Sequence, residues 1–126
     1  MAKEVLMLNT LPPAVGPYSQ VVKSNGFLFI SGQISADAQT GEVIRQEVEA
    51  QTRTIMEIIK NTLEAAGSSM DKVVKCSVHL SDAKHFDDMN RAYASYFTGS
   101  YPARITVSGV QLYDGVDVEI DVIAEA

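Results

Sequence analysis

The sequence ARITVSG at residues 103–109, followed after the loop VQLYDG by VDVEIDVIA at residues 116–124, alternates apolar and polar side chains. A period of two residues is typical of strands that bury one face. Asp114-Gly115 is a turn signal, so we predict that the two strands form a hairpin. By parity, Arg104 and Glu119 would then lie together on the polar face of that hairpin.

The remaining strands are predicted from similar patterns. Asn25-Gly26 separates the strand-like runs 20–23 and 27–31, and it predicts a hairpin because both residues tolerate a positive φ. Residues 72–80 return to a period of two, and residues 5–8 fit a further short strand.

Two helices are predicted between these strands. Residues 46–66 carry an apolar stripe at helical spacing, and Gly67 provides a C-cap position. Ser81-Asp82 offers an N-cap for a second helix that would end at Gly99. The stripe of this second helix is expected to be core, and consists of Phe86, Met89, Tyr93 and Phe97.

The element order predicts an α+β fold with both helices packed on one face of the sheet. The apolar face, which carries Ile105 and Val107, would meet the helices. The other face carries Arg104, Thr106 and Glu119, and it would be either solvated or buried against another subunit.

Composition limits the function classes. The 126 residues fit a single domain over 1–126, and the net charge of −6 disfavours binding to nucleic acid phosphates. Cys76 is the only cysteine, which fits a reducing, cytoplasmic setting, and we expect it to be a small core residue. We expect no membrane span, because no stretch approaches the roughly 20 apolar residues that a span requires. We also expect no metal site, because His79 and His85 lack acidic partners at useful spacing.

Arg104 and Glu119 allow two interpretations. The first is a cross-strand ion pair, which would contribute about 0.2–1 kcal/mol to stability. The second is a carboxylate-binding arginine beside a general base, because a guanidinium group can grip a carboxylate with two parallel hydrogen bonds.

The chain resembles the reactive intermediate deaminase family (Rid, also called YjgF), formerly described as translation inhibitors or L-PSP endoribonucleases. The resemblance covers nearly the whole chain and rests on several motifs in the right order. These are GPYSQ at 16–20, ISGQI at 30–34, Asn90 with Tyr93, PAR at 102–104 and VEI at 118–120. It implies a chorismate-mutase-like mixed sheet and a homotrimer with clefts between its subunits, without a cofactor or a metal.

The resemblance also implies roles for particular residues. Members of the deaminase branch hydrolyse enamine and imine intermediates, such as 2-aminoacrylate, to 2-keto acids and ammonia. Arg104 would hold the substrate carboxylate, and Glu119 would position or activate the attacking water. Tyr18, Ser31, Gly32 and Asn90 would line the cleft, with Tyr18 facing a neighbouring subunit's Arg104.

Two departures from the family pattern leave the substrate open. Thr106 occupies a position where many members have cysteine, which excludes catalysis by that thiol but leaves a backbone N–H that could bind a carboxylate. The loop 110–115, with the sequence VQLYDG, lacks the Leu-Pro-Lys-like sequence of many deaminases, and its Tyr113 could narrow the pocket. The alternatives are a non-catalytic binder of small carboxylates and an endoribonuclease, which the acidic net charge disfavours.

Overall fold

A computed structural model describes residues 2–126 as one six-stranded sheet with two helices. The strands are β1 (Glu4–Val5), β2 (Val21–Ser24), β3 (Phe27–Gln33), β4 (Val73–Leu80), β5 (Ala103–Ser108) and β6 (Val118–Glu125). The helices are α1 (Val48–Ala65) and α2 (Phe86–Ala94). The sheet order is β1-β2-β3-β6-β4-β5, and only β4 and β5 pair in parallel, so the predicted mixed α+β sheet is confirmed.

The predicted hairpin of β5 and β6 is wrong. Strand β6 pairs with β3 on one side and with β4 on the other, which leaves β5 at the edge of the sheet beside β4. Asp114 and Gly115 do adopt positive φ values of 52° and 70°, so the local turn signal was correct. The loop, however, carries the chain past β4 instead of folding it back onto the preceding strand.

This topology also reverses the predicted faces of β5. Arg104 lies in register with Cys76 of β4, which is fully buried beneath the helices. Arg104 and Thr106 therefore point to the helix side. Ile105 and Val107 point to the opposite, open face, where their side chains are 53% and 38% exposed.

Helix α1 supplies most of the helical core. Its predicted apolar stripe is confirmed, since Val48, Ile55, Ile59 and Leu63 are all buried. After the helix, Gly67 has φ +84°, and the amide of Ser68 donates to the carbonyl of Leu63 at 2.8 Å. These features form the predicted glycine C-cap, a Schellman motif.

Helix α2 is shorter than predicted. Asp82 accepts a hydrogen bond from the amide of Lys84 and caps a 3₁₀ turn, so the α-helix begins only at Phe86 and ends at Ala94. Met89 and Tyr93 are buried as expected, but Phe86 is 43% exposed, and its assignment to the core was wrong.

The predicted turn at Asn25-Gly26 and the predicted burial of Cys76 are confirmed. Asn25 and Gly26 have φ values of 53° and 83° in the turn between β2 and β3. Cys76 is fully buried in the core. Neither helix of the described chain has the length and apolar character needed to cross a membrane.

Candidate active site

Six of the seven predicted site residues line one of two separate clefts. Tyr18, Ser31, Gly32 and Glu119 line a cleft of about 350 Å³, which we call the Glu119 cleft. Asn90 and Arg104 line a second cleft of about 320 Å³, which we call the Arg104 cleft, with Tyr93, Ala94, Tyr101 and Pro102. Thr106, paired with Val78, lies on the helix side of β5 but lines neither cleft.

Glu119 is the only charged side chain among the described residues that line its cleft. It projects from the open face of β6 and is half-buried. Burial raises the pKa of this carboxyl above its ordinary value; the charge of His79 opposes the shift, and Asp121 adds slightly to it. A partly desolvated carboxylate with a raised pKa suits a general base or acid near neutral pH.

Gly32 makes room for the Glu119 carboxylate. A Cβ atom at position 32 would lie 2.4 Å from Oε2 and 2.9 Å from Cδ of Glu119. Strand β3 is irregular between Ile30 and Gln33, where its register with β6 shifts. The irregularity and the missing side chain together let the carboxylate lie directly against the β3 backbone.

Two polar atoms near Glu119 are buried without a hydrogen-bond partner among residues 2–126. They are the Oγ of Ser31, which lines the cleft, and the Nδ1 of His79, which lies across from Glu119 on β4. Buried polar atoms are nearly always paired in folded proteins. The Ser31 hydroxyl is therefore available to a ligand in the cleft.

Arg104 is held by apolar groups instead of a carboxylate. Its Cζ lies 4.8 Å from the ring centroid of Tyr93 and 5.7 Å from that of Phe86. Its Nη1 lies 3.9 Å from the sulfur of Met89. Within the described chain its guanidinium makes no ion pair, so it presents a preoriented cation to the Arg104 cleft.

Arg104 and Glu119 of one chain do not meet. Arg104 shares a row of the sheet with Cys76, whereas Glu119 shares a row with His79, three residues further along β4. Side chains alternate along a strand, so the two charges project from opposite faces. The strand spacing and the rise per residue put their Cα atoms about 14 Å apart. The first interpretation of these residues, a cross-strand ion pair, is therefore wrong.

Several lining residues were not predicted from the sequence. Pro12 and Pro13 form one wall of the Glu119 cleft, where the side-chain amide of Gln20 donates to the Pro12 carbonyl. Tyr113, singled out above as able to narrow a pocket, lines the same cleft. Phe86 was assigned to the core from its helical spacing, and no local sequence signal placed it beside Arg104 of β5.

The described residues contain no cluster of His, Cys, Asp or Glu suited to a metal ion. The histidines lie apart: the Nε2 of His85 is 3.6 Å from Asp117, while His79 lies on the open face. Burial raises the pKa of the Cys76 thiol, which makes it a poor nucleophile.

Comparison with known proteins shows the family to which the chain belongs. Residues 9–126 match the family model described as Endoribonuclease L-PSP. A RutC family protein from Pyrococcus horikoshii is 46% identical over 122 residues, 97% of each chain. Reactive Intermediate Deaminase A of Arabidopsis thaliana, a chloroplastic protein, is 36% identical over 97% of this chain and 65% of its own length. The crystal structure of E. coli TdcF with bound serine matches with a TM-score of 0.90 at 33% identity, covering 98% of both chains.

These matches span nearly the whole chain, and they confirm the resemblance drawn from the sequence motifs. The protein belongs to the Rid family, also known as the L-PSP endoribonuclease family.

Proposed function

We propose that the protein hydrolyses reactive 2-imino and 2-enamino acids, such as 2-aminoacrylate, to 2-keto acids and ammonia. It would act as a homotrimer in which each active site combines the Glu119 cleft of one subunit with the Arg104 cleft of the next. The observation that carries the proposal is the separation of an unpaired guanidinium and a desolvated carboxylate onto opposite faces of one chain.

The chemistry requires a second copy of the chain. In a 2-imino acid the carboxylate carbon and the reacting carbon are neighbours, about 1.5 Å apart. Arg104 and Glu119 of one chain, with Cα atoms about 14 Å apart on opposite faces, cannot hold both groups. The exposed apolar residues of the open face, Phe29, Ile105 and Val107, favour its burial against another subunit.

The reaction follows from the groups so assembled. An enamine such as 2-aminoacrylate first takes a proton from solvent at its methylene carbon and so becomes the protonated imine. Arg104 would bind the carboxylate of this imine, which fixes the C=N carbon near Glu119. Glu119 would take a proton from a water molecule as its oxygen attacks that carbon, giving a tetrahedral carbinolamine. The protonated Glu119 would then return the proton to the amine nitrogen. As the C–N bond breaks and ammonia leaves, Glu119 takes the proton of the carbinolamine hydroxyl, whose oxygen becomes the carbonyl of the keto acid. That proton then leaves with the ammonia as ammonium, which returns Glu119 to its ionised form.

Other groups would help in defined ways. The free Ser31 hydroxyl can hold the attacking water or the carbinolamine oxygen. Tyr18 and Gly32 would contribute from the Glu119 side, and Asn90 would contribute from the Arg104 side. In this scheme the Thr106 backbone would at most assist carboxylate binding. The activity would be cytoplasmic, which fits the single free thiol of Cys76.

A second candidate is a non-catalytic sensor that binds small carboxylates in the same cleft. It is favoured by Thr106, and by the bound serine in the E. coli TdcF structure. Binding without turnover would select it over deamination. Endoribonuclease activity, the older family description, has less support because the chain carries a net charge of −6.

The test is imine hydrolysis coupled to a source of imines, either an amino-acid oxidase or a serine/threonine dehydratase, with the keto acid and ammonia both measured. The wild type should accelerate hydrolysis, whereas Arg104→Ala and Glu119→Gln should abolish the acceleration while remaining folded. Arg53→Ala, which removes an arginine on the outer surface of α1, is the matched control and should behave as the wild type. Tight keto acid binding by a wild type that accelerates nothing would reject deamination in favour of the sensor.

A further inference from the structure

The Glu119 cleft has an apolar part that the proposed reaction does not use. Besides Glu119 and the polar groups near it, its lining is dominated by apolar and aromatic side chains. These are Pro12, Pro13, Val15, Ile34, Ala36 and Tyr113. No second charged side chain among the described residues lines the cleft, so nothing there would pair with an ionised substrate side chain.

The cleft is also larger than the smallest substrate needs. 2-Aminoacrylate has six non-hydrogen atoms, and even at the full volume of a liquid water per atom, about 30 Å³, it would fill only about half of the cleft. The cleft measures about 350 Å³ in one chain. With the carboxylate on Arg104 and the reacting carbon at Glu119, the substrate side chain is the group left to occupy the remaining space.

One wall of this space is rigid. Pro12 and Pro13 have restricted backbones, and Gln20 holds the Pro12 carbonyl by a hydrogen bond. A Cβ atom at Gly41, which lines the same cleft, would lie 3.1 Å from the Cδ of Pro13, so these two segments are already in close contact. A preformed apolar wall favours a ligand of matching shape, since little order is lost on binding.

Tyr113 also lines this space, and it is 56% exposed on a 3₁₀ turn. The turn is tied down from its far side by Arg45, whose Nη2 lies 3.1 Å from Oδ2 of Asp114 and whose Nη1 donates to the Asp114 carbonyl at 3.0 Å. Val15, at the rim of the same cleft, is 66% exposed. Exposed apolar groups gathered around one charged group are characteristic of a binding site.

We infer that this apolar part of the Glu119 cleft is a side-chain subsite that selects 2-imino acids with branched or aromatic apolar side chains, and that Tyr113 is its specificity-determining residue. The inference rests on the proposed function for the position of the substrate, but it makes a separate claim about affinity. Discrimination between apolar groups is about 10-fold or more per added methylene in a fitted pocket.

The subsite can be tested without turnover by measuring the binding of product analogues calorimetrically. The wild type should bind 4-methyl-2-oxopentanoate or phenylpyruvate at least about 10-fold more tightly than pyruvate. Tyr113→Ala should reduce that ratio towards one, and Tyr113→Phe, which keeps the ring, should restore it. Equal affinity of the wild type for pyruvate and for the larger keto acids would overturn the inference.

Turnover supplies the second readout and separates the two proposals. In the wild type, kcat/KM for the leucine-derived imine should be about 10-fold higher than kcat/KM for the alanine-derived imine. This ratio should fall in Tyr113→Ala. An unchanged ratio in that variant, or an equal loss for both imines, would overturn the role of Tyr113. Failure of the wild type to hydrolyse any imine would reject the proposed function, while the affinity ratio would still decide the subsite.

Discussion

Gly32→Ala offers a sharp test of the Glu119 site, because it moves the carboxylate without removing it. The added Cβ atom would lie 2.4 Å from Oε2 of Glu119, whereas ordinary contacts begin at about 3.4 Å, so the carboxylate must move by about 1 Å. Misplacement of a catalytic group by this distance costs about 100-fold in rate. The displaced atoms are the far end of a flexible side chain, so the free energy of unfolding should fall by only about 0.5–1.5 kcal/mol, the cost of a strained rotamer.

The backbone at position 32 does not itself oppose alanine, since its φ lies outside the left-handed region. We therefore expect Gly32→Ala to fold and to bind keto acids, but to lose about 100-fold in kcat in the coupled imine assay. Gly99→Ala is the matched control, because a Cβ atom there would meet nothing within 4 Å. Full activity in Gly32→Ala would refute the placement of Glu119 as the reacting base.

A double variant separates the carboxylate from other effects of the new methyl group. If Gly32 acts only by giving Glu119 its position, adding Gly32→Ala to Glu119→Gln should cause no further loss of activity. Additive losses would mean that Gly32 has a role of its own in the cleft.

Three further outcomes follow from the site. Arg104→Lys should keep the positive charge but lose the two parallel hydrogen bonds to the substrate carboxylate. We therefore expect kcat/KM for imine hydrolysis to fall by about 100-fold, and the affinity for keto acids, measured in parallel, to fall as well. Burial raises the pKa of Glu119, so kcat/KM should fall as the pH drops through a value above the ordinary 4.5. His79→Gln removes the positive charge that lowers this pKa and leaves Asp121 unchanged. The acid limb of the pH profile should therefore move to higher pH in that variant. An acid limb that stays in place would contradict the role of His79. Native Cys76 should resist alkylation because burial raises its pKa, and labelling by mass spectrometry should appear only on unfolding; rapid labelling of the folded protein would contradict this.

The sequence predicted the type and order of every strand and helix, because local signals dominate at those positions, although α2 is shorter than predicted. Asn25-Gly26 and Gly67 adopt the positive φ values that their turn and cap require. Asp114-Gly115 does the same, yet the strands on its two sides do not pair. A turn signal reports local backbone conformation and not which strand lies alongside, so the insertion of β6 between β3 and β4 could not be read from it.

That error determined which features of the site were missed. Parity counted across a false hairpin put Arg104 and Glu119 on one face. In the structure both strands pair with β4, where Arg104 lies level with Cys76 and Glu119 lies level with His79, so the two side chains project from opposite faces. The individual residues were named from the family motifs, but their division into two clefts appears only in three dimensions. Similarly, the position of Phe86 in the apolar stripe of α2 is typical of a core residue. Only the structure shows that Phe86 is the first residue of α2 and that its ring lies beside the guanidinium of Arg104.

The central claim is that an active site takes its base from one subunit and its carboxylate-binding cation from another. Mixing two inactive variants, Glu119→Gln and Arg104→Ala, during refolding or co-expression tests it directly. In random hetero-trimers about a quarter of the sites would receive an intact Glu119 and an intact Arg104, so imine hydrolysis should return to about a quarter of the wild-type rate. A mixture of Glu119→Gln with Gly32→Ala, whose defects lie in the same cleft, should show no such recovery. Mixed trimers of Glu119→Gln and Arg104→Ala that remain as inactive as their parents would contradict the shared site.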